Sequence, residues 1–112
     1  MIKMMSFGFK HGAPVGSTRM IDCRDMRNPH KLASLRELTG LESDVQTYVQ
    51  EDPKAEAKLE TAATGLKDGD VIAFGCFGGR HRSVALSEIL ARRLRHAGYA
   101  VEVHHKELGV DA

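Results

Sequence analysis

The sequence predicts a single α/β domain over residues 1–112, with helices flanking a mainly parallel sheet. Three observations carry that reading. Short apolar runs suited to strands alternate with longer segments of helical period. The run Val71-Ile72-Ala73-Phe74 is apolar without a break, as a strand buried on both faces is. A length of 112 residues suffices for one domain and falls short of two.

Taken in order, residues 2–9 read as a first strand, ended by Gly8 and the turn-prone run Lys10-His11-Gly12-Ala13-Pro14. Arg19-Met20-Ile21-Asp22-Cys23-Arg24 reads as a second strand with charge at its end. Residues 25–40 show no period and contain Asn28-Pro29, which predicts an irregular loop long enough to suggest a functional role. Leu41, Val45, Tyr48 and Val49 recur at helical spacing after Glu42 or Ser43. Asp52-Pro53 then reads as the N-cap and first residue of a helix running toward Gly65. The strand from Val71 ends near Cys76. Leu86, Leu90, Leu94 and Ala97 mark one face of a helix over residues 81–97, with Gly98 where a C-cap belongs. Residues 99–105 alternate and close the pattern as a strand.

Composition excludes several classes. A formal net charge of +1 means that contact with nucleic acid would have to come from a local patch. No apolar run approaches the roughly 20 residues of a membrane span. Met1-Ile2-Lys3-Met4-Met5 is too short and too quickly interrupted for a signal peptide. Two cysteines, Cys23 and Cys76, are too few for a disulfide scaffold, so a reducing cytoplasm is the expected location. His104-His105 has no cysteine or carboxylate cluster at ligand spacing, and the reading calls for no metal and no cofactor.

Gly75-Cys76-Phe77-Gly78-Gly79-Arg80-His81-Arg82-Ser83 carries the chemistry. A buried strand ends, two glycines let the main chain come close to a ligand, and a helix begins near His81 or Arg82. The first turn of a helix has N–H groups without intrahelical partners and the positive end of the dipole. Ser83 adds a hydroxyl, and Arg80 and Arg82 add guanidinium groups that grip phosphate through paired hydrogen bonds. These residues predict an anion-binding loop at the carboxyl edge of the sheet. The competing reading is a tight turn whose glycines serve packing alone.

A second chemistry fits the same spacing. Cys-x-x-Gly-x-x-Arg-Ser, with Cys76 and Arg82 six apart, resembles the signature loop of the cysteine-dependent phosphotyrosine phosphatases. That resemblance implies Cys76 as nucleophile, Arg82 as stabiliser of the phosphoryl oxygens, and a general acid supplied by Asp22 or Asp52. Gly75 stands where many members of that family carry histidine, and an inert buried Cys76 at the strand end is the alternative.

Five ordered motifs support a closer resemblance: Ser6-Phe7-Gly8-Phe9-Lys10-His11-Gly12, Asp22-Cys23-Arg24, Asn28-Pro29-His30, Leu35-Arg36-Glu37-Leu38-Thr39-Gly40 and the Gly75–Ser83 loop. Together they resemble the C-terminal domain of the RNase adapter protein RapZ family over nearly the whole chain. The resemblance implies a fold similar to a sugar-phosphate-binding part of phosphofructokinase and a role without catalysis. It also implies binding of glucosamine 6-phosphate or a similar amino-sugar phosphate, with contact to a regulatory RNA. On matching positions, the implied phosphate site is Gly78, Gly79, Arg80, His81, Arg82 and Ser83, and the sugar site is Asp22, Arg24 and His30, with Lys10 and Arg36 nearby. Phe77 stands where the family commonly has a hydroxyl residue, which removes a phosphate contact or reshapes the pocket.

Nothing in the sequence matches the Gly-x-x-x-x-Gly-Lys-Ser/Thr loop of the family's nucleotide-binding domain, so the expectation is a standalone C-terminal-like domain. The chain ends Leu108-Gly109-Val110-Asp111-Ala112, without the basic tail of the RNA-binding members. RNA contact would fall on Arg92, Arg93, Arg95 and Lys106, with the patch doubled in a homodimer; solvated cations complementing a helix C-terminus are the simpler account of the arginines. An aromatic share of 5% argues against base stacking as the main mode.

Overall fold

A computed structural model describes residues 1–111, with side chains through residue 109. One sheet holds five strands in the order β2-β3-β1-β4-β5. Strands β1 (Ile2–Gly8), β2 (Arg19–Asp22), β3 (Val71–Cys76) and β4 (Val101–His105) are parallel, and β5 (Val110–Asp111) returns antiparallel to β4. The helices are α1 (Ala33–Arg36), α2 (Ser43–Gln50), α3 (Ala55–Ala63) and α4 (Arg82–His96). Helices α2, α3 and α4 touch one another, while α3 lies on β2 and α4 on β1, β3 and β4, so they form one layer.

Strand alternation sends Ile2, Met4, Ile21, Ile72, Phe74, Val101 and Val103 into this layer, where they meet Leu59, Leu86, Ile89 and Leu90 in one core. Cutting Leu86 back to alanine would cost about 2–5 kcal/mol, since the side chain is fully buried. The parallel sheet and the long last helix follow the sequence pattern.

The differences are local and have local causes. Residues 25–40 are not structureless: a 3-10 turn spans Pro29–Lys31 and one helical turn follows as α1. Asn28 starts the 3-10 turn by accepting the His30 N–H at 3.1 Å, and Leu35 anchors α1 in the core. Strand β2 stops at Asp22 because its carboxylate takes the Arg24 N–H at 2.9 Å and turns the chain. Asp52 does not cap α3. Its carboxylate accepts the Lys54 N–H at 2.9 Å and the Arg27 N–H at 2.7 Å, tying the loop after β2 to the approach of α3. Gly98 ends α4 with φ 99°, the Tyr99 N–H closes back on Leu94, and β4 begins only at Val101. Strand β5 lay outside the sequence reading. It exists because the Leu108 and Gly109 N–H groups both turn back onto the His105 carbonyl.

All four parallel strands present their carboxyl ends on one edge. Gly8, Asp22, Cys76 and His105 end there, and the β3-to-α4 loop crosses that edge.

Candidate anion-binding site

A cavity of about 330 Å³ opens at this edge, lined by Lys10, His11, Asn28, His30 and the continuous stretch from Cys76 through Arg82. The two loop glycines serve different ends. A Cβ on Gly79, whose φ is 78°, would come within 2.5 Å of the Gly8 nitrogen and 2.4 Å of Glu107 Cγ, so packing and conformation both demand glycine there. A Cβ on Gly78 would meet no protein atom within 4 Å, although Gly78 lines the cavity. Packing therefore does not demand glycine at that position.

Electrostatics at α4 point the same way. Its first turn has no acidic residue and no side-chain cap, while Arg93, Arg95 and His96 fill its last turn. Helices α2 and α3, by contrast, carry Asp44 and Glu56 in their first turns. The positive end of the 15-residue α4 dipole is thus left without a carboxylate of its own, beside the cavity.

Two buried polar side chains complete the lining. Arg82 is 6% exposed; its Nη1 donates to the carbonyls of Arg24 at 3.0 Å and Met26 at 3.2 Å. His81 is 7% exposed and its ring centroid lies 6.2 Å from that of His30. Arg82 Nε and His81 Nε2 are buried without a hydrogen-bond partner among the described residues. Polar atoms buried without a partner cost free energy. Burial pushes the His81 pKa below its ordinary value, so the ring is biased to neutrality.

The expected site residues divide. Gly78, Gly79, Arg80, His81, Arg82, His30 and Lys10 line the cavity. Ser83 does not: its hydroxyl turns inward, 3.2 Å from Cys76 Sγ and 3.4 Å from the Phe7 carbonyl oxygen, leaving only its backbone to the helix start. Asp22 and Arg24 bind each other at 2.8 Å outside the cavity lining, and the Arg24 guanidinium stacks on Phe9 at 3.8 Å. Arg36 sits behind His30, donating to its carbonyl at 2.8 Å. Asn28 and His11 also line the cavity, and sequence reasoning had not assigned them there. The Asn28-Pro29-His30 motif was the available signal for Asn28.

The residues considered for phosphatase chemistry are engaged otherwise. Cys76 is 2% exposed, and its sulfur pairs with Ser83. The Arg24 guanidinium beside Asp22 holds that carboxyl below its ordinary range. Burial would raise Asp52, but its bonds from the Arg27 and Lys54 N–H groups outweigh that and lower it. Both carboxyls are thus biased to the ionised form.

The basic residues considered for RNA fall at opposite ends. Arg92, Arg93, Arg95 and His96 share a shallow surface at the far end of α4. Arg92 donates to Gln46 at 2.9 Å, Arg93 pairs with Glu56 at 2.6 Å, and Arg95 donates to the Val101 carbonyl at 2.8 Å. Lys106 instead bonds the Gly12 carbonyl at 3.0 Å, on the cavity edge of the sheet. Among the described residues no three His, Cys, Asp or Glu side chains gather as metal ligands, and no helix is long and apolar enough to cross a membrane.

Comparison with known proteins matches residues 1–109 to the family model described as the RapZ C-terminal domain. A nucleotide-binding protein of Jannaschia sp. is 39% identical over 99% of this chain and 38% of its own length. Nucleotide-binding proteins of Thermobifida fusca and Streptomyces coelicolor are each 41% identical over 95% of this chain, covering 40% and 39% of their own lengths. The chain therefore spans about two fifths of the length of these curated relatives.

Proposed function

The chain belongs to the RapZ C-terminal domain family, and from that premise we propose that it is a regulatory adapter-type module that holds a phosphorylated small molecule without turning it over. The ligand is an amino-sugar phosphate. Its phosphate sits on the backbone of Gly78 through Ser83 with Arg80, His81 and Arg82, and its sugar faces His30 and Asn28. Asp22 and Arg24 join the sugar side only by exchanging their mutual bond for ligand hydroxyls. The observation that carries this reading is the α4 start: an uncapped helix terminus at a cavity of about 330 Å³ that Arg80, His81 and Arg82 help to line, with Arg82 Nε buried behind it without a hydrogen-bond partner among the described residues. Small-molecule sites run from about 300 to 1,000 Å³, so this one suits a ligand of a single ring.

Thermal-shift and calorimetric titrations with glucosamine 6-phosphate, glucose 6-phosphate and inorganic phosphate test it. Stabilisation by phosphate esters, lost in Arg82→Met and kept in Cys76→Ser, is the expected result. Indifference of the wild type to all three at millimolar concentration sinks the proposal. Hydrolysis of an aryl phosphate, abolished by Cys76→Ser, would favour the phosphatase reading instead. RNA contact is a separate element of the adapter role; it predicts a gel shift that weakens steeply with salt and with Arg92→Ala plus Arg93→Ala.

A further inference from the structure

Resting on that reading, we propose that Phe77 is the specificity-determining residue of the site, an aromatic shelf that selects phosphate esters of closed six-membered sugar rings over their open-chain counterparts. Phe77 is 59% exposed and lines the cavity. Of the exposed large hydrophobic side chains among the described residues, it alone lines the cavity. Met20, Leu32, Leu41 and Tyr99 are exposed elsewhere, as scattered surface apolar residues commonly are.

The backbone beneath the ring is held in place. Phe77 follows directly on β3 and precedes Gly78, and its carbonyl accepts the Lys10 N–H at 3.2 Å. The Lys10 ammonium stands 5.7 Å from the ring centroid and also lines the cavity. A cation and an aromatic face therefore share the mouth, one residue from the glycine whose Cβ position is open.

These positions dictate how a ligand lies. A phosphate on the uncapped turn of α4 places the ester's organic part toward the mouth, against Phe77 and within reach of Lys10. A pyranose presents a continuous apolar C–H face, which gains by covering an aromatic ring. An open-chain polyol phosphate carries the same phosphate and similar hydroxyls, but it must lose several torsional freedoms to offer such a face. The ring form is therefore favoured at the shelf, and the phosphate subsite is indifferent to the choice.

The test compares inorganic phosphate, glucose 6-phosphate, sorbitol 6-phosphate and adenosine 5′-monophosphate by calorimetry, on wild type and Phe77→Ala. Thermal unfolding first checks that the variant folds, which its exposure favours. Wild type is expected to bind the closed-ring sugar phosphate about tenfold more tightly than the open-chain one, a ratio that falls to about twofold in Phe77→Ala with inorganic phosphate still bound. A ratio unaltered by the substitution, while phosphate still binds, overturns the assignment of Phe77. Preference for the mononucleotide over both sugar phosphates overturns the choice of a sugar ring. Failure of inorganic phosphate itself to bind wild type overturns the anion site, and Phe77 with it.

Discussion

Gly8 and Gly78 touch where β1 ends under the loop: a Cβ on Gly8 would come within 2.5 Å of the Gly78 carbonyl carbon. The contact bolts the anion loop to the central part of the sheet, and the Glu107 carboxylate adds a second bolt by accepting the Gly8 N–H at 3.0 Å. These contacts hold the loop in one position against the sheet, which on the proposed function lowers the entropic cost of binding.

From this geometry Gly78 and Gly79 should respond differently to substitution. Gly79→Ala places a side chain at positive φ and against the Gly8 backbone, so it should cost at least about 2 kcal/mol of stability. Gly78→Ala has room and should stay within about 0.5 kcal/mol of wild type. Its methyl intrudes where the ligand comes close, so phosphate-ester affinity should fall about tenfold or more. Urea denaturation and calorimetry on the two variants check both halves.

Arg82 has a structural duty and, on the proposed function, a ligand duty, and one pair of variants separates the two. Its Nη1 holds the carbonyls of Arg24 and Met26, fixing the loop after β2 against the start of α4. Arg82→Met should lose about 1.5–3 kcal/mol, the range for hydrogen bonds to a charged group, together with all ligand-induced stabilisation. Arg82→Lys restores one donor to the carbonyls but not the planar fork, so it should recover part of the stability and little of the affinity. Equal recovery of both would count against a guanidinium–phosphate contact.

The general plan was legible because it rests on patterns that burial imposes. Val71 through Phe74 and the leucine face of α4 could hardly pack otherwise. The loop was legible too, since its glycines and arginines coincide at a strand–helix junction. Less so was what each polar side chain would choose. Ser83 could donate into the cavity or turn to Cys76, and Asp22 could meet a ligand or Arg24; those choices depend on neighbours brought from 7 and 2 positions away by the turn geometry. Residues 25–40 lacked a period because their order comes from side-chain-to-backbone bonds such as that of Asn28, not from a repeating apolar face.

His81 should make the protein acid-sensitive. Its folded-state pKa lies below the ordinary 6.5, with burial as the leading cause. The unfolded ring therefore takes up protons more readily, and stability falls as the pH drops below about 6.5. Above that value the effect vanishes, because both states are neutral. His81→Gln should flatten the dependence between pH 7 and 5, which urea midpoints on both proteins would reveal. Parallel curves would remove His81 as the cause.

A buried relay offers a last and independent test. Ser6 Oγ lies 2.7 Å from His105 Nδ1, and His105 Nε2 lies 2.7 Å from Glu88 Oε2, linking β1, β4 and α4. The hydrogen bond from His105, more than any other influence, holds the Glu88 carboxyl below its ordinary range. A carboxylate depressed in this way stabilises the fold above its unfolded pKa near 4.5 and loses that contribution as the pH falls through the lower folded value. Glu88→Gln should remove this acid-side loss while costing stability at neutral pH. Ser6→Ala should cost about 1–3 kcal/mol, because it strands a ring nitrogen of the fully buried His105. Since Ser6, Glu88 and His105 are absent from the cavity lining, phosphate-ester affinity should stay unchanged in both variants. A matching fall in affinity would mean that the relay reaches the anion loop through β1, and that the two bolts at Gly8 carry strain from one to the other.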